Sequence, residues 1–208
     1  VVGLCMLAVI VVPGFAGDLL VTSSITNSVL RYDGATGAYL STFIQPNSGG
    51  LSDPWGITIG PNGNVFVTSE ANARVLEYSA ADGTFIRQFA DTSAFGAPGY
   101  HAWGPDGNLY VSLWLGTEVI RFNGQTGEAM GVFATNVNLN QPDGLFWRGN
   151  ELLVSSSARA RVQRYNATTG AFIGNLTAAG AGLINPTEIA QGPDGNIYVA
   201  SFGTNEIR

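Results

Sequence analysis

One stretch of this chain is spelled in nearly the same letters five times, and that repetition limits the fold more than any other feature. "DLLVTS" begins at Asp18, "NVFVTS" at Asn64, "NLYVSL" at Asn108, "ELLVSS" at Glu151 and "NIYVAS" at Asn196, in steps of 46, 44, 43 and 45 residues. Further segments keep fixed offsets from these. "SVLRYD", "RVLEYS", "EVIRFN" and "RVQRYN" follow from Ser28, Arg74, Glu118 and Arg161, and "AYLSTF", "TFIRQF", "EAMGVF" and "AFIGNL" follow the turn glycines Gly37, Gly83, Gly127 and Gly170. "PWGITIG", "PGYHAWG", "PDGLFW" and "PTEIAQG" start at Pro54, Pro98, Pro142 and Pro186, each ahead of the next repeated segment. A period of this length marks an architecture in which each repeat is one supersecondary unit.

Each unit holds four short runs rich in Val, Ile, Tyr and Phe and separated by turn residues, the pattern of antiparallel strands in a meander. Both faces of such a sheet carry apolar residues, as Val65, Phe66 and Val67 do in succession. Only packing unit against unit satisfies both faces, and wrapping the units about an axis makes an all-β propeller of four-stranded antiparallel blades. The units run over residues 18–44 (partial), 54–90, 98–134, 142–178 and 186–208 (partial), so that the first lacks its inner strand and the last stops inside its third. The expectation is an incomplete ring. The alternative is a small closed one, in which the strand from Pro186 completes the unit that begins at Asp18.

The recurring "GPNGN" and "GPDGN" have a local cause. Pro presets φ for the first central position of a turn, Asn or Asp caps it, and Gly accepts the positive φ that follows. Asp106 and Asp194 are therefore turn residues, since the interleaved ligands of a calcium loop are missing around them. The 28 glycines and nine prolines serve the same punctuation, and long amphipathic helices are absent.

A net charge of −6 argues against nucleic acid as a partner, because binding phosphates needs a basic surface. All nine basic residues are arginine, and the cluster Arg159, Arg161 and Arg164 reads as the solvated edge of a hairpin. Residues 1–16 read as the remnant of an export leader, with the apolar run "VVGLCMLAVIVV" followed by "PGFAGD" and small residues at Gly14 and Ala16. The chain starts without Met or a basic stretch, so the expectation is a fragment. Its mature part, residues 17–208, has no membrane span and no cysteine, and is expected to be a monomer that is secreted, periplasmic or held at the cell surface.

The pattern P-x-G-I, G-P-D-G-N-ϕ-Y-V, N-x-x-V-ϕ-R and T-G-x-ϕ resembles the NHL-repeat and SMP-30/gluconolactonase-like group of six-bladed propellers, and over residues 18–208 is similar to exported bacterial NHL-type proteins. The resemblance implies six blades and a ligand site over the central channel, where the inner strands begin. The rim candidates there are Trp55, Tyr100, His101, Asp143 and Glu188. SMP-30-like lactonases hold a divalent metal through an acidic residue, an Asn and an Asp of different blades. Asp143 matches that Asp, Gly99 stands where the Asn belongs, and Thr187 stands at the acidic position with Glu188 one residue on. Neighbouring strand residues point to opposite faces, so Glu188 is expected to face away.

Streptogramin lyases resemble the repeat pattern too, but the surroundings of His101 do not reproduce their catalytic histidine motif. His101 is the chain's one histidine and has no nucleophile elbow near it in sequence. The aromatics Trp55, Tyr100, Trp103, Trp114, Phe146 and Trp147 suit either stacking of a sugar or the filling of space between blades. The reading that follows is a non-enzymatic exported propeller that binds protein or carbohydrate and has no cofactor. The alternative is a metal-dependent lactonase or hydrolase with calcium or zinc at Asp143, and a third reading is a surface spacer.

Overall fold

The computed structural model describes residues 9–11 and 17–208, and these form strands, turns and single turns of 3-10 helix. Two compact units are present, residues 1–94 and 95–208, and each is described by itself.

The first unit holds two four-stranded sheets. One contains β1 (Val9–Val11), β2 (Leu19–Ser23), β3 (Ser28–Tyr32) and β4 (Tyr39–Ile44), and the other β5 (Pro54–Ile59), β6 (Val65–Ser69), β7 (Arg74–Tyr78) and β8 (Phe85–Asp91). The second unit holds three sheets: β9 (Pro98–Trp103) to β12 (Ala129–Thr135) by way of β10 (Leu109–Leu113) and β11 (Glu118–Phe122); β13 (Pro142–Arg148), β14 (Glu151–Ser156), β15 (Arg161–Asn166) and β16 (Phe172–Asn175); and the three-stranded β17 (Pro186–Gln191), β18 (Ile197–Ser201) and β19 (Glu206–Ile207). Every neighbouring pair is antiparallel and consecutive in the chain, as the meander requires.

Two expectations change. The first sheet does not lack its inner strand, because Val9–Val11 pairs with Leu19–Val21. Those three residues lie within the stretch read as an export leader, and cleavage after Ala16 would remove them from the sheet; the rest of that stretch, residues 1–8 and 12–16, lies outside the described residues. The strand from Pro186 pairs with β18 and not with the strand that begins at Leu19, so the small closed ring is not built in that way. Among the described residues no helix is long and apolar enough to cross a membrane.

The core of the second unit shows why the sheets are apolar on both faces. On β14, Leu152 and Val154 join Tyr110, Val119, Leu139 and Tyr165, with Trp147 and Phe133 packed against them. Between those two, Leu153 points the other way and joins Val162, Leu183, Ile189 and Val199, with Phe146 alongside. One central strand thus feeds two clusters, which the period-2 alternation of side chains makes unavoidable. Trp147 meets Tyr110 edge-on at 4.8 Å, so Trp147 and Phe146 fill space between sheets.

Turns follow the sequence closely. Gly63, Gly107 and Gly195 have φ of 82°, 77° and 81°, a region that favours glycine. Asp106 Oδ1 accepts from the Asn108 N–H at 3.1 Å while Oδ2 accepts from the Tyr110 hydroxyl at 2.9 Å, and Asp194 repeats this with Asn196 and Tyr198. Single 3-10 turns, which the strand pattern does not announce, link the second and third strands at Glu70–Asn72, Ser157–Arg159 and Phe202–Thr204.

Candidate functional site

The first strand of four sheets begins with Pro and then slips register. Pro54 faces Ser69 but Ile57 faces Val67; Pro98 faces Leu113 but His101 faces Val111; Pro142 faces Ser156 but Leu145 faces Val154; and Pro186 faces Ser201 but Ile189 faces Val199. Two residues therefore oppose one, which is a β-bulge. The bulged pairs are Trp55–Gly56, Gly99–Tyr100, Asp143–Gly144 and Thr187–Glu188, set against Thr68, Ser112, Ser155 and Ala200.

Two of the opposing hydroxyls hold their bulges in place. Thr68 Oγ1 accepts from the Gly56 N–H at 2.6 Å and donates to the Gly56 carbonyl at 3.2 Å. Ser112 Oγ accepts from the Tyr100 N–H at 3.0 Å and donates to the Tyr100 carbonyl at 3.1 Å. Ser155 stands at the corresponding place on β14, fully buried, and its Oγ makes no hydrogen bond.

In the first unit, Trp55 is half-buried and its carbonyl accepts from Thr22 Oγ1 at 2.9 Å. The other four rim candidates belong to the second unit. Tyr100 and His101 are buried in β9, at 7 % and 4 % exposure. Asp143 is buried, with 4 % of its surface exposed, and its Oδ1 has no hydrogen-bond partner. That oxygen borders Gly99: a β-carbon there would lie 3.4 Å from Asp143 Oδ1, 3.1 Å from Trp114 Cβ and 3.5 Å from Ser112 Oγ.

Glu188 is close enough to Asp143 for its charge to act on that carboxyl. The bulge breaks strict alternation at Thr187–Glu188, and the backbone there closes on Gly144, where a β-carbon would meet Thr187 O at 2.3 Å and Glu188 Cα at 2.8 Å. Burial pushes the Asp143 carboxyl up to about 7, and the charge of Glu188 adds to the rise. Glu188 is half-buried and burial raises it to about 7 as well. No arginine offsets either carboxyl, so the pair resists carrying two charges together.

Such a pair can accept hydrogen bonds, donate one from a shared proton, or hold a cation. A hard divalent cation needs several converging oxygens. Among the described residues no group of three or more His, Cys, Asp or Glu could hold a metal ion, and Gly99 supplies no side chain where the resemblance asks for Asn. The donor set does not fit that metal.

The sequence pattern found Asp143 and Glu188 separately and gave no sign that the charge of one acts on the other. It passed over Ser155 and Gly144, although the three-residue spacing from each Pro to the next paired residue marks the bulge.

No protein-family model matches the chain, and no curated protein matches it. Solved structures do. A catalytically inactive variant of virginiamycin B lyase from Staphylococcus aureus, with quinupristin, is 20 % identical with a TM-score of 0.72, over 97 % of this chain and 65 % of that one. A nidogen/laminin complex gives 21 % and 0.78, over 98 % and 73 %. A structural-genomics target with a provisional gluconolactonase designation gives 18 % and 0.76, over 96 % and 72 %. The chain spans about two thirds of the lyase chains it matches. At these identities the likeness shows the fold alone, and that fold is the β-propeller.

Proposed function

We propose that this chain is part of an exported NHL-type β-propeller that acts as a binding module for protein or carbohydrate, with its ligand seated at the channel rim beside Asp143 and Glu188. The observation that carries this reading is the buried Asp143 Oδ1, which has no partner although its bulge packs on the Thr187–Glu188 backbone and the charge of Glu188 acts on it. A buried polar atom left unsatisfied costs folding free energy of about 1–3 kcal/mol, and a ligand donor removes that cost. The neighbouring bulges show what a purely structural version is like, since Thr68 and Ser112 there satisfy the backbone.

The same reading takes the five sheets as belonging to a six-bladed ring. It rests on the repeat spacing and on the share of the lyase chains that is spanned. It also takes the protein as secreted, periplasmic or held at the cell surface, which rests on the apolar run at residues 1–12.

A glycan array and a panel of purified envelope proteins, probed with the wild-type chain and with Asp143→Asn, test the proposal. One ligand class should be retained by the wild type and lost in the variant with no loss of melting temperature. Lactone hydrolysis by the wild type, with nothing retained on either panel, would replace it with a hydrolase.

A further inference from the structure

Building on that reading of the site, we infer that the pair Asp143 and Glu188 recognises a positively charged nitrogen, the protonated amine of a lysine side chain or of an amino sugar.

The argument begins with charge. Among the described residues, five arginines have a carboxylate partner: Arg31 with Asp18, Arg87 with Glu77, Arg148 and Arg164 with Glu151, and Arg208 with Glu206. Asp143 and Glu188 have none, although burial makes a partner more valuable to them than to any exposed acid. Two neighbouring carboxylates without a cation are a repulsive arrangement that a single positive charge beside them relieves.

Geometry says where the charge would enter. Asp143 Oδ1 borders Gly99, which carries no side chain; a β-carbon there would be tight against Trp114 Cβ at 3.1 Å, so only a small group fits beside the carboxylate, with Trp114 giving way slightly. A second unpartnered polar atom, Ser155 Oγ, is fully buried opposite the bulge that carries Asp143. An ammonium group brings three donors on a compact centre. Those donors match the unpartnered Asp143 oxygen, the Glu188 carboxylate and a hydroxyl. A neutral sugar hydroxyl brings only one donor and leaves the repulsion in place.

The net charge of −6 favours approach of a cationic ligand, and the chain contains no lysine of its own to occupy the site. A divalent cation would cancel the same charge but finds only two carboxylates, too few for its coordination shell.

Calorimetric titration of the 208-residue chain decides the matter. The probes are Nα-acetyl-lysine methylamide and glucosamine, with Nα-acetyl-norleucine methylamide and N-acetylglucosamine as their uncharged counterparts and calcium chloride as the metal. At least one amine should bind about tenfold or more tighter than its counterpart, and Asp143→Asn and Glu188→Gln should each cost about tenfold, since both keep the side chain's shape. The tighter of the two amines identifies the source as protein or sugar. Equal affinity for charged and uncharged probes would overturn the inference and leave the broader binding role standing, as would amine binding that ignores both variants. Tight calcium binding with no amine binding would overturn it in favour of a metal.

Discussion

Asp143 Oδ1 lies 3.4 Å from the point at which a β-carbon on Gly99 would stand, and Trp114 Cβ lies 3.1 Å from the same point. Gly99→Ala therefore fills the space beside the carboxylate without entering forbidden backbone conformation, because its φ is not in the left-handed region. The variant should fold with at most a modest drop in melting temperature, since Trp114 has to give way slightly, and lose about tenfold or more in ligand affinity. Unchanged affinity would show that no ligand uses this space.

Gly144→Ala is expected to behave in the opposite way. Its β-carbon would stand 2.3 Å from Thr187 O and 2.8 Å from Glu188 Cα, both backbone atoms that cannot swing aside. Overpacking of this kind costs about 1–3 kcal/mol or more, so chemical denaturation should show a clear loss of stability. A variant as stable as the wild type would mean that β13 and β17 are not so close.

Ser112 and Ser155 share a repeat position but differ in what they hold. Ser112→Ala withdraws two hydrogen bonds from the Tyr100 backbone and should cost about 1–2 kcal/mol. Ser155→Ala removes an oxygen without a partner and should fall within about 0.5 kcal/mol of the wild type or stabilise. Equal losses at the two sites, measured by urea denaturation, would contradict the difference.

Stability should peak on the acid side of neutrality. The raised carboxyls of Asp143 and Glu188 bind protons more tightly in the folded state. Between about pH 4 and about pH 7 that state holds more protons than the unfolded chain, and stability falls as pH rises, by at most about 1.4 kcal/mol per pH unit for each group. Glu151 is held down to about 2 by hydrogen bonds from Arg164 and Arg148. Glu77 is also lowered: burial pulls it up, and the hydrogen bonds from Asn64, Arg87 and Asn62 outweigh that. Their contributions are lost as pH falls below about 4.5. Melting temperature should pass through a maximum near about pH 4, and Asp143→Asn should raise it strongly at about pH 8 while changing it little at about pH 4. A wild-type melting temperature that climbs steadily from about pH 5 to about pH 8 would contradict the buried pair.

Much of this molecule was legible because its signals are local. A Gly that must take positive φ, a Pro that presets φ and an Asp that caps the following amide announce themselves within four letters, and Gly63, Gly107 and Gly195 do what "GPNGN" and "GPDGN" say. The two clusters fed by Leu152, Leu153 and Val154 were likewise implied by an apolar run on a central strand. Glu188 is a different case. A bulge interrupts the alternation without a distinctive letter, so period-2 reasoning cannot be carried past Pro186 to say which way that side chain points. Val9–Val11 shows the ambiguity of short apolar runs, which look alike in a leader and in a strand.

Because the same kink opens four of the first strands, what sits in it is released from the rule that every second side chain must be greasy. Trp, Gly, Tyr, Asp, Thr and Glu all occur in these eight places while the rows behind them keep their Val, Ile and Leu. Gly144 aside, exchanging letters there alters the lining at the start of the strands while the rows of Val, Ile and Leu behind them stay as they are. A small library that keeps Gly144 and varies the other seven codons would sample new specificities on the same frame.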